Sequence, residues 1–440
     1  MCRRVWYARR LGGLGTLLLL FSAAAIAEDP MTLEDVLRES RAANARLPMP
    51  AIDVEIAREK ESEARAERWL KVAVEGNFLY APPNGYDPAI TNAGEARLQL
   101  VGRQPVYDGG ARRAAVLRGE AEVAAAGARY RVAVKDLDLE VRTRYSEYIQ
   151  AGAEAAARRQ GIERLENYRT SLKSRQASGQ GVASDLLKID VRLASERASI
   201  VDAEGRRESA RVALNALMGR SPEAPLSLAP LPPPAPAVLR RDPGSDRVPD
   251  VVEAEAAERA AGADVTTARA ERRPHLLLTA DVGFLGSDTS RWIPADLLAA
   301  DRNATFGDRL RRDAGYSVGL SLTWPVWDLG AIQARIRQAE LRQKSAQQNI
   351  VFQKREAARQ WAQAQTALAT VYSLIQILTE SAPAARDAYL EAESRYRGGA
   401  ATAFEVLESY VASVDAAVRL NEAISRYRIA QALAVRWSEP

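Results

Sequence analysis

The chain has 440 residues, with 61 Lys+Arg against 57 Asp+Glu and a single histidine. Arg3, Arg4, Arg9 and Arg10 fall in residues 1–27, which hold no acid, so 61 less 4 leaves 57 basic residues facing 57 acidic ones in the remainder. That balance excludes a net basic nucleic-acid surface, and one cysteine excludes a disulfide framework.

The first 27 residues read as a signal peptide. A basic start precedes the apolar run Leu11 to Ile26, and Ala25-Ile26-Ala27 fits the small-x-small cleavage rule. Cleavage after Ala27 is expected; the rival reading is an uncleaved anchor. The lone cysteine, Cys2, lies far upstream of that point, so the mature chain is not expected to be lipidated. No later apolar run approaches ~18–20 residues. An exported chain of this kind is periplasmic, secreted or an outer-membrane β-barrel of a Gram-negative cell.

The rest is two copies of one plan, expected at 28–220 and 249–440 with a proline-rich linker at 221–248. Gln104-Pro105-Val106-Tyr107-Asp108-Gly109-Gly110 returns as Trp324-Pro325-Val326-Trp327-Asp328-Leu329-Gly330, an offset of 220 residues. Ala64-Arg65-Ala66-Glu67-Arg68 returns as Ala268-Arg269-Ala270-Glu271-Arg272, an offset of 204, so the second copy gains sixteen residues between these markers. Such a repeat is read first because it fixes the architecture.

In chain order, a capped helix is expected at 32–46, interrupted by Pro48 and Pro50, then a charged helix at 52–69. Strand pairs follow at about 71–105 and 275–325. Val72, Val74, Gly76, Phe78 and Tyr80 alternate with polar neighbours, as do Leu98 and Leu100, and the second copy repeats this through Leu276–Phe284 and Tyr316–Trp324. Alternation over ~10 residues marks a transmembrane strand with one lipid face and one wet face. A half-buried soluble sheet is the alternative. Trp69, Tyr107, Trp324 and Trp327 gather at one end and Tyr80 and Phe284 at the other, like interfacial girdles. The polar connections 81–94 and 285–313 are assigned to the exterior.

Pro105 and Pro325 are expected to end their strands, Asp108 and Asp328 to cap the next helix, and Gly110 and Gly330 to allow the turn. Helical hairpins are expected over about 110–218 and 330–437, with tips at Gly179 and Gly181 and at Gly398 and Gly399. Pro383 is expected to kink the second hairpin. Val134, Leu137, Val141, Tyr145 and Tyr148, with Leu186, Ile189 and Leu193 and with Leu407, Val411, Val414 and Val418, keep the spacing of a packed seam. Pro222 to Pro236 reads as an extended linker rather than a core element. His275 reads as structural, and no nucleophile, metal or phosphate motif is present, so neither an enzyme nor a cofactor is expected.

Gln104–Gly110, the tip Tyr396-Arg397-Gly398-Gly399 with Phe404-Glu405-Val406-Leu407-Glu408, and Thr32-Leu33-Glu34-Asp35-Val36-Leu37 resemble motifs of the TolC-like outer membrane efflux protein family. The first copy departs from it, with Trp69-Leu70-Lys71 where Arg273-Pro274 keeps a strand-opening proline. The resemblance implies an α+β membrane protein. Four strands per chain would enter a shared twelve-stranded trimeric barrel, continued by a long coiled-coil tunnel in the periplasm. Four strands cannot close a barrel, since about eight is the minimum. The count alone leaves dimer, trimer and tetramer open, and the resemblance selects the homotrimer. It further implies a periplasmic adaptor, an inner-membrane pump of RND, ABC or MFS type, and outer-membrane lipid as partners. Glu405 and Glu408 lie on one helix face at the expected tunnel entrance, with Asp185 at the equivalent place in the other hairpin. A carboxylate ring there would favour cations; an ordinary solvated face is the alternative. The glycine tips are the expected adaptor-docking points. The rival function is a periplasmic coiled-coil adaptor or scaffold without a barrel.

Overall fold

The computed structural model describes residues 30–80, 94–177, 183–236, 248–287 and 314–438. The signal peptide, most of both external connections, and the tip glycines Gly179 and Gly181 lie outside these residues.

Helix α1 (Leu33–Ala43) starts with a capping box, Thr32 and Asp35 each bonding the other's backbone amide. Helix α2 (Pro48–Ala66) shows that the prolines do not merely interrupt. Pro48 opens the second helix, where a missing N–H costs nothing and the fixed φ suits the first turn. Strand β1 (Lys71–Tyr80) and strand β2 (Gly94–Tyr107) lead into α3 (Ala111–Ala177) and α4 (Ala183–Leu217). The second copy supplies α5 (Pro249–Ala270), β3 (His275–Ser287), β4 (Ala314–Thr323), α6 (Ala331–Arg397) and α7 (Ala403–Ser438). Helices α3 and α6 each have 67 residues, on the order of 100 Å at 1.5 Å per residue. Pro383 lies inside α6 without breaking its helical assignment.

The four strands form one antiparallel sheet in the order β1-β2-β3-β4. Pro105 does not end its strand: β2 continues to Tyr107 across a register shift against β3. A proline fits there because a bulge needs no ladder donor at that point. In the second copy β4 does stop at Thr323, before Pro325.

The seam residues pack as expected. Leu137, Val141, Tyr145 and Tyr148 are buried with Leu214 and Leu217 of α4 and Val36 and Leu37 of α1. Nearer the described tip, Leu165, Tyr168 and Leu172 of α3 meet Ile189 and Leu193, Tyr389 and Tyr396, and Val406 and Tyr410 in one core shared by both hairpins. The expected linker needs correction. In its described part, 221–236, Leu226 and Leu228 belong to the core around Tyr145 and Tyr148. Leu228 makes a parallel bridge with Met31, and Tyr145 Oη donates to the Ala229 carbonyl at 2.6 Å. Prolines between large apolar residues let this strip lie on helices without exposing unpaired amides.

Candidate functional site

The sheet has two chemically distinct faces. Register places Val74 beside Leu100, Leu100 beside Val282, and Val282 beside Tyr316. Val72, Val74, Phe78, Leu98, Leu100, Val282, Tyr316, Val318, Leu320 and Leu322 are all exposed on this side. A continuous apolar surface of this extent is a binding surface for another apolar phase. The opposite face carries Glu75, Gln99, Arg103, Asp281 and Ser317. Arg103 pairs with Glu75 at 2.6 Å, Gln99 Nε2 donates to Asp281 at 3.1 Å, and Ser317 bonds the same carboxylate. Val101, only 4 % exposed, sits beneath this polar ladder. Strands β1 and β4 each have one neighbour among the described strands, and every residue of β4 is exposed.

Both strand pairs leave through the same turn. Asp108 accepts from the amides of Gly110 at 3.0 Å and Arg112 at 2.9 Å, and Asp328 accepts from those of Gly330 and Ile332. Gly109 and Gly110 have φ of 67° and 99°; Leu329 and Gly330 have 55° and 88°. Leu329 therefore holds a left-handed conformation that disfavours a branched side chain, and it is 88 % exposed. Gly109 has no such room, since a Cβ would lie 3.0 Å from the Ala270 carbonyl oxygen. Burial pushes the Asp108 carboxyl up, but hydrogen bonds from the Arg112 side chain and from two amides outweigh it and hold it below its usual value. The Ile332 amide is the main cause of the same direction at Asp328. Sequence reasoning missed Arg112, whose guanidinium joins Asp108, the Pro105 carbonyl at 2.6 Å and the Arg68 carbonyl at 3.2 Å. Its signal was an Asp-Arg pair four residues apart at a helix start.

At the far end, Gly399 has φ of 77°. Its amide bonds the Tyr396 carbonyl at 3.0 Å and the Ala400 amide bonds Arg395 at 2.8 Å, which closes α6 with a Schellman turn. Gly398, at φ −77°, is the cap residue before it. Glu405 is bonded to Thr402: its amide donates to the hydroxyl at 3.2 Å, and that hydroxyl donates back to its carboxylate at 3.2 Å. Glu405 and Glu408 are both exposed, whereas Asp185 on α4 is bonded to Lys188 at 3.5 Å. The structure thus keeps the acidic pair on one helix face and gives Asp185 a local partner.

No helix among the described residues is long and apolar enough to cross a membrane. The described sheet, with one apolar and one polar face, has the alternation of a transmembrane β-barrel segment, and it is carried on coiled helical hairpins. The outer membrane efflux protein model matches residues 36–220 and 245–434, so the chain belongs to that family. This is a family of transport channels of the Gram-negative outer membrane, not an enzyme class.

Solved structures agree on the fold. The outer-membrane channel OprN superposes with a TM-score of 0.80 at 22 % identity, covering 92 % of this chain and 89 % of its own. CusC, whose structures concern folding and transmembrane channel formation, gives 0.81 at 18 % identity, covering 93 % and 92 %. VceC of Vibrio cholerae gives 0.78 at 19 % identity, covering 92 % and 95 %. No curated protein matches the sequence.

Proposed function

We propose that the protein is the exit duct of a tripartite export system. It assembles as a homotrimer whose twelve strands close a barrel in the outer membrane. The observation that supports closure by copies of this chain is the pattern of uncovered faces. Within the chain, α3 is flanked by α2 and α5, whereas α6 meets α5 on one side. Ala121 of α3 is 4 % exposed, yet Leu341, its counterpart 220 residues on, is 66 % exposed. On α2, Met49, Ile52 and Ile56 are exposed as well. The relation that carries β2 and α3 onto β4 and α6 also carries β3 and α5 onto β1 and α2 of a next copy. Repeating one such contact around an axis gives a closed ring with no free strand edge. The count fixes a multiple of four strands; the family resemblance supports three subunits.

The polar sheet face then lines the pore and the apolar face meets lipid. The helical hairpins continue the pore into the periplasm. The turn at 397–400 and the tip residues Gly179 and Gly181, which lie outside the described residues, meet the adaptor, which links the duct to an inner-membrane pump. Transport is passive, and opening is a movement of helices at the tip. Glu405 and Glu408 from three subunits place six carboxylates at the entrance, which favours cations.

The test is fractionation followed by planar-bilayer recording. We expect an SDS-resistant trimer in the outer membrane with cation-selective conductance, and reduced selectivity in Glu405→Ala/Glu408→Ala. Unchanged selectivity and closed-state conductance in that variant would remove the acidic-ring reading. A soluble periplasmic monomer would remove the duct itself.

A further inference from the structure

The stretch Tyr427–Val435 on α7 and the stretch Arg207–Asn215 on α4 are equivalent in the two copies. On α4 the following chain closes this face. Arg211 bonds Glu208 and the Ala224 carbonyl, and Asn215 Nδ2 donates to the same carbonyl at 2.8 Å. On α7 the face is only partly closed. The strip 230–236 lies across it, held by Tyr427 Oη on the Ala235 carbonyl at 2.7 Å. Arg428 also holds it, bonding the carbonyls of Leu231 and Pro232 at 3.1 and 2.8 Å. What remains is a cavity of about 660 Å³ between α3, α7 and the proline strip. This is within the range of small-molecule sites, about 300–1,000 Å³.

Its described walls combine apolar surface with two arginines. Tyr145, Val435 and the prolines of 230–236 supply the apolar part, and Arg142, Arg428 and Gln431 the polar part. Arg428 spends its bonds on neutral carbonyls, and burial lowers its pKa. Arg142 has a buried Nε without a partner among the described residues and takes part in no ion pair there. The one carboxylate on the lining, Glu34, is exposed. Two half-buried guanidiniums that share the described lining with no carboxylate but the exposed Glu34 present a charge that a bound anion would offset. At the equivalent positions of the other copy, Arg142 becomes Ala362 and Arg428 becomes Glu208, so the cationic lining belongs to this junction and not to the repeat.

We propose that the cavity binds an amphipathic anion, with its head held by Arg142 and Arg428 and its apolar body lying on Tyr145, Val435 and the proline strip. The full-length protein, exchanged from detergent into amphipol, is titrated calorimetrically with dodecanoate. One site per chain is expected, with negligible uptake of dodecyltrimethylammonium. Arg142→Gln weakens binding about tenfold or more, the scale of losing a charge-assisted contact. Gln431→Trp, at an exposed lining position, fills the space and abolishes it. Both variants keep the wild-type melting temperature. Competition by short-chain phosphatidylglycerol identifies a lipid headgroup as the source, and its absence identifies a free carboxylate. Equal uptake of the cationic amphiphile, or undiminished binding by Arg142→Gln, overturns the proposal. The assay reads no transport, so its failure leaves the duct reading untouched.

Discussion

At the scale of the residue, the two aspartates after the strands act through charge. Asp108 and Asp328 have carboxyls held below their ordinary values by bonds that the folded turn supplies. A lowered folded-state pKa contributes stability that is present above the unfolded value, near 3.9, and is lost as pH falls through the folded value. The window is therefore below about pH 4. Asp108→Asn keeps one acceptor oxygen but no charge, and should cost about 1 kcal/mol at pH 7, the scale of a helix cap. Melting curves from pH 6 to 3 should show the wild type losing more stability than Asp108→Asn/Asp328→Asn. Parallel acid profiles would show that neither turn is held by ionised carboxylate. The motif itself was legible, since Pro-Val-aromatic-Asp-x-Gly names a strand end, a cap and a left-handed turn. The pairing of Arg112 with Asp108 had a signal in its four-residue spacing, but its bond to the Arg68 carbonyl did not, because that depends on where α2 ends.

At the scale of the element, the two hairpins have equal lengths but different interiors. Between α3 and α4, Glu196 is almost fully buried, accepts a hydrogen bond from Arg158 at 3.0 Å and forms an ion pair with Arg192 at 2.5 Å. Glu154 bonds Arg158 at 3.1 Å and Arg206 at 2.9 Å. The same positions of the second hairpin are Leu374, Leu378, Ala412 and Ala416, next to an apolar core around Leu368, Ile375 and Tyr427. Removing one partner strands buried charge, so Glu196→Ala should cost about 3 kcal/mol or more. Importing the whole apolar set as Glu154→Leu/Arg158→Leu/Arg192→Ala/Glu196→Ala should be neutral, or stabilising by about 1–4 kcal/mol. Urea midpoints would decide it. A quadruple variant less stable than Glu196→Ala would mean that the charges hold the hairpin's register in a way packing cannot replace. Periodicity identified both hairpins, but a helical repeat of charged and apolar residues does not say which carboxylate ends up buried.

At the scale of the whole molecule, the proposed ring makes the single chain one part of a larger sheet. Among the described strands β1 and β4 each have one neighbour, and Trp324, Val326, Trp327 and Leu329 are exposed together at the strand–helix junction. The repeat turns this into a geometric prediction. Arg129 of α3 reaches Glu253 of α5 at 3.9 Å, and Arg118 reaches Asp264 at 2.9 Å. In the proposed ring the repeat offsets would place Asn349 against Met49 and Gln338 against Lys60 of the next copy. Cysteines at Asn349 and Met49, treated with a short bismaleimide, should give covalent dimers and trimers on denaturing gels. Cross-linking confined to monomers would break the ring model while leaving the fold intact.

The amino-acid sequence by itself determined the order of elements, the faces of the strands, the turn chemistry and the family. Each of these is written in local periodicity or in a short motif, and the repeat at offsets of 204 and 220 residues states the strands and turns twice. Only the tertiary structure decided how the proline strip is used. Prolines read locally as a spacer, yet Leu226 and Leu228 are drawn into the core because α1, α3 and α4 present apolar side chains to them. It also decided which side chains become buried charges and where the Arg142 Nε is buried without a hydrogen-bond partner among the described residues. Burial and pairing between distant segments are properties of packing, and no spacing along the chain encodes them.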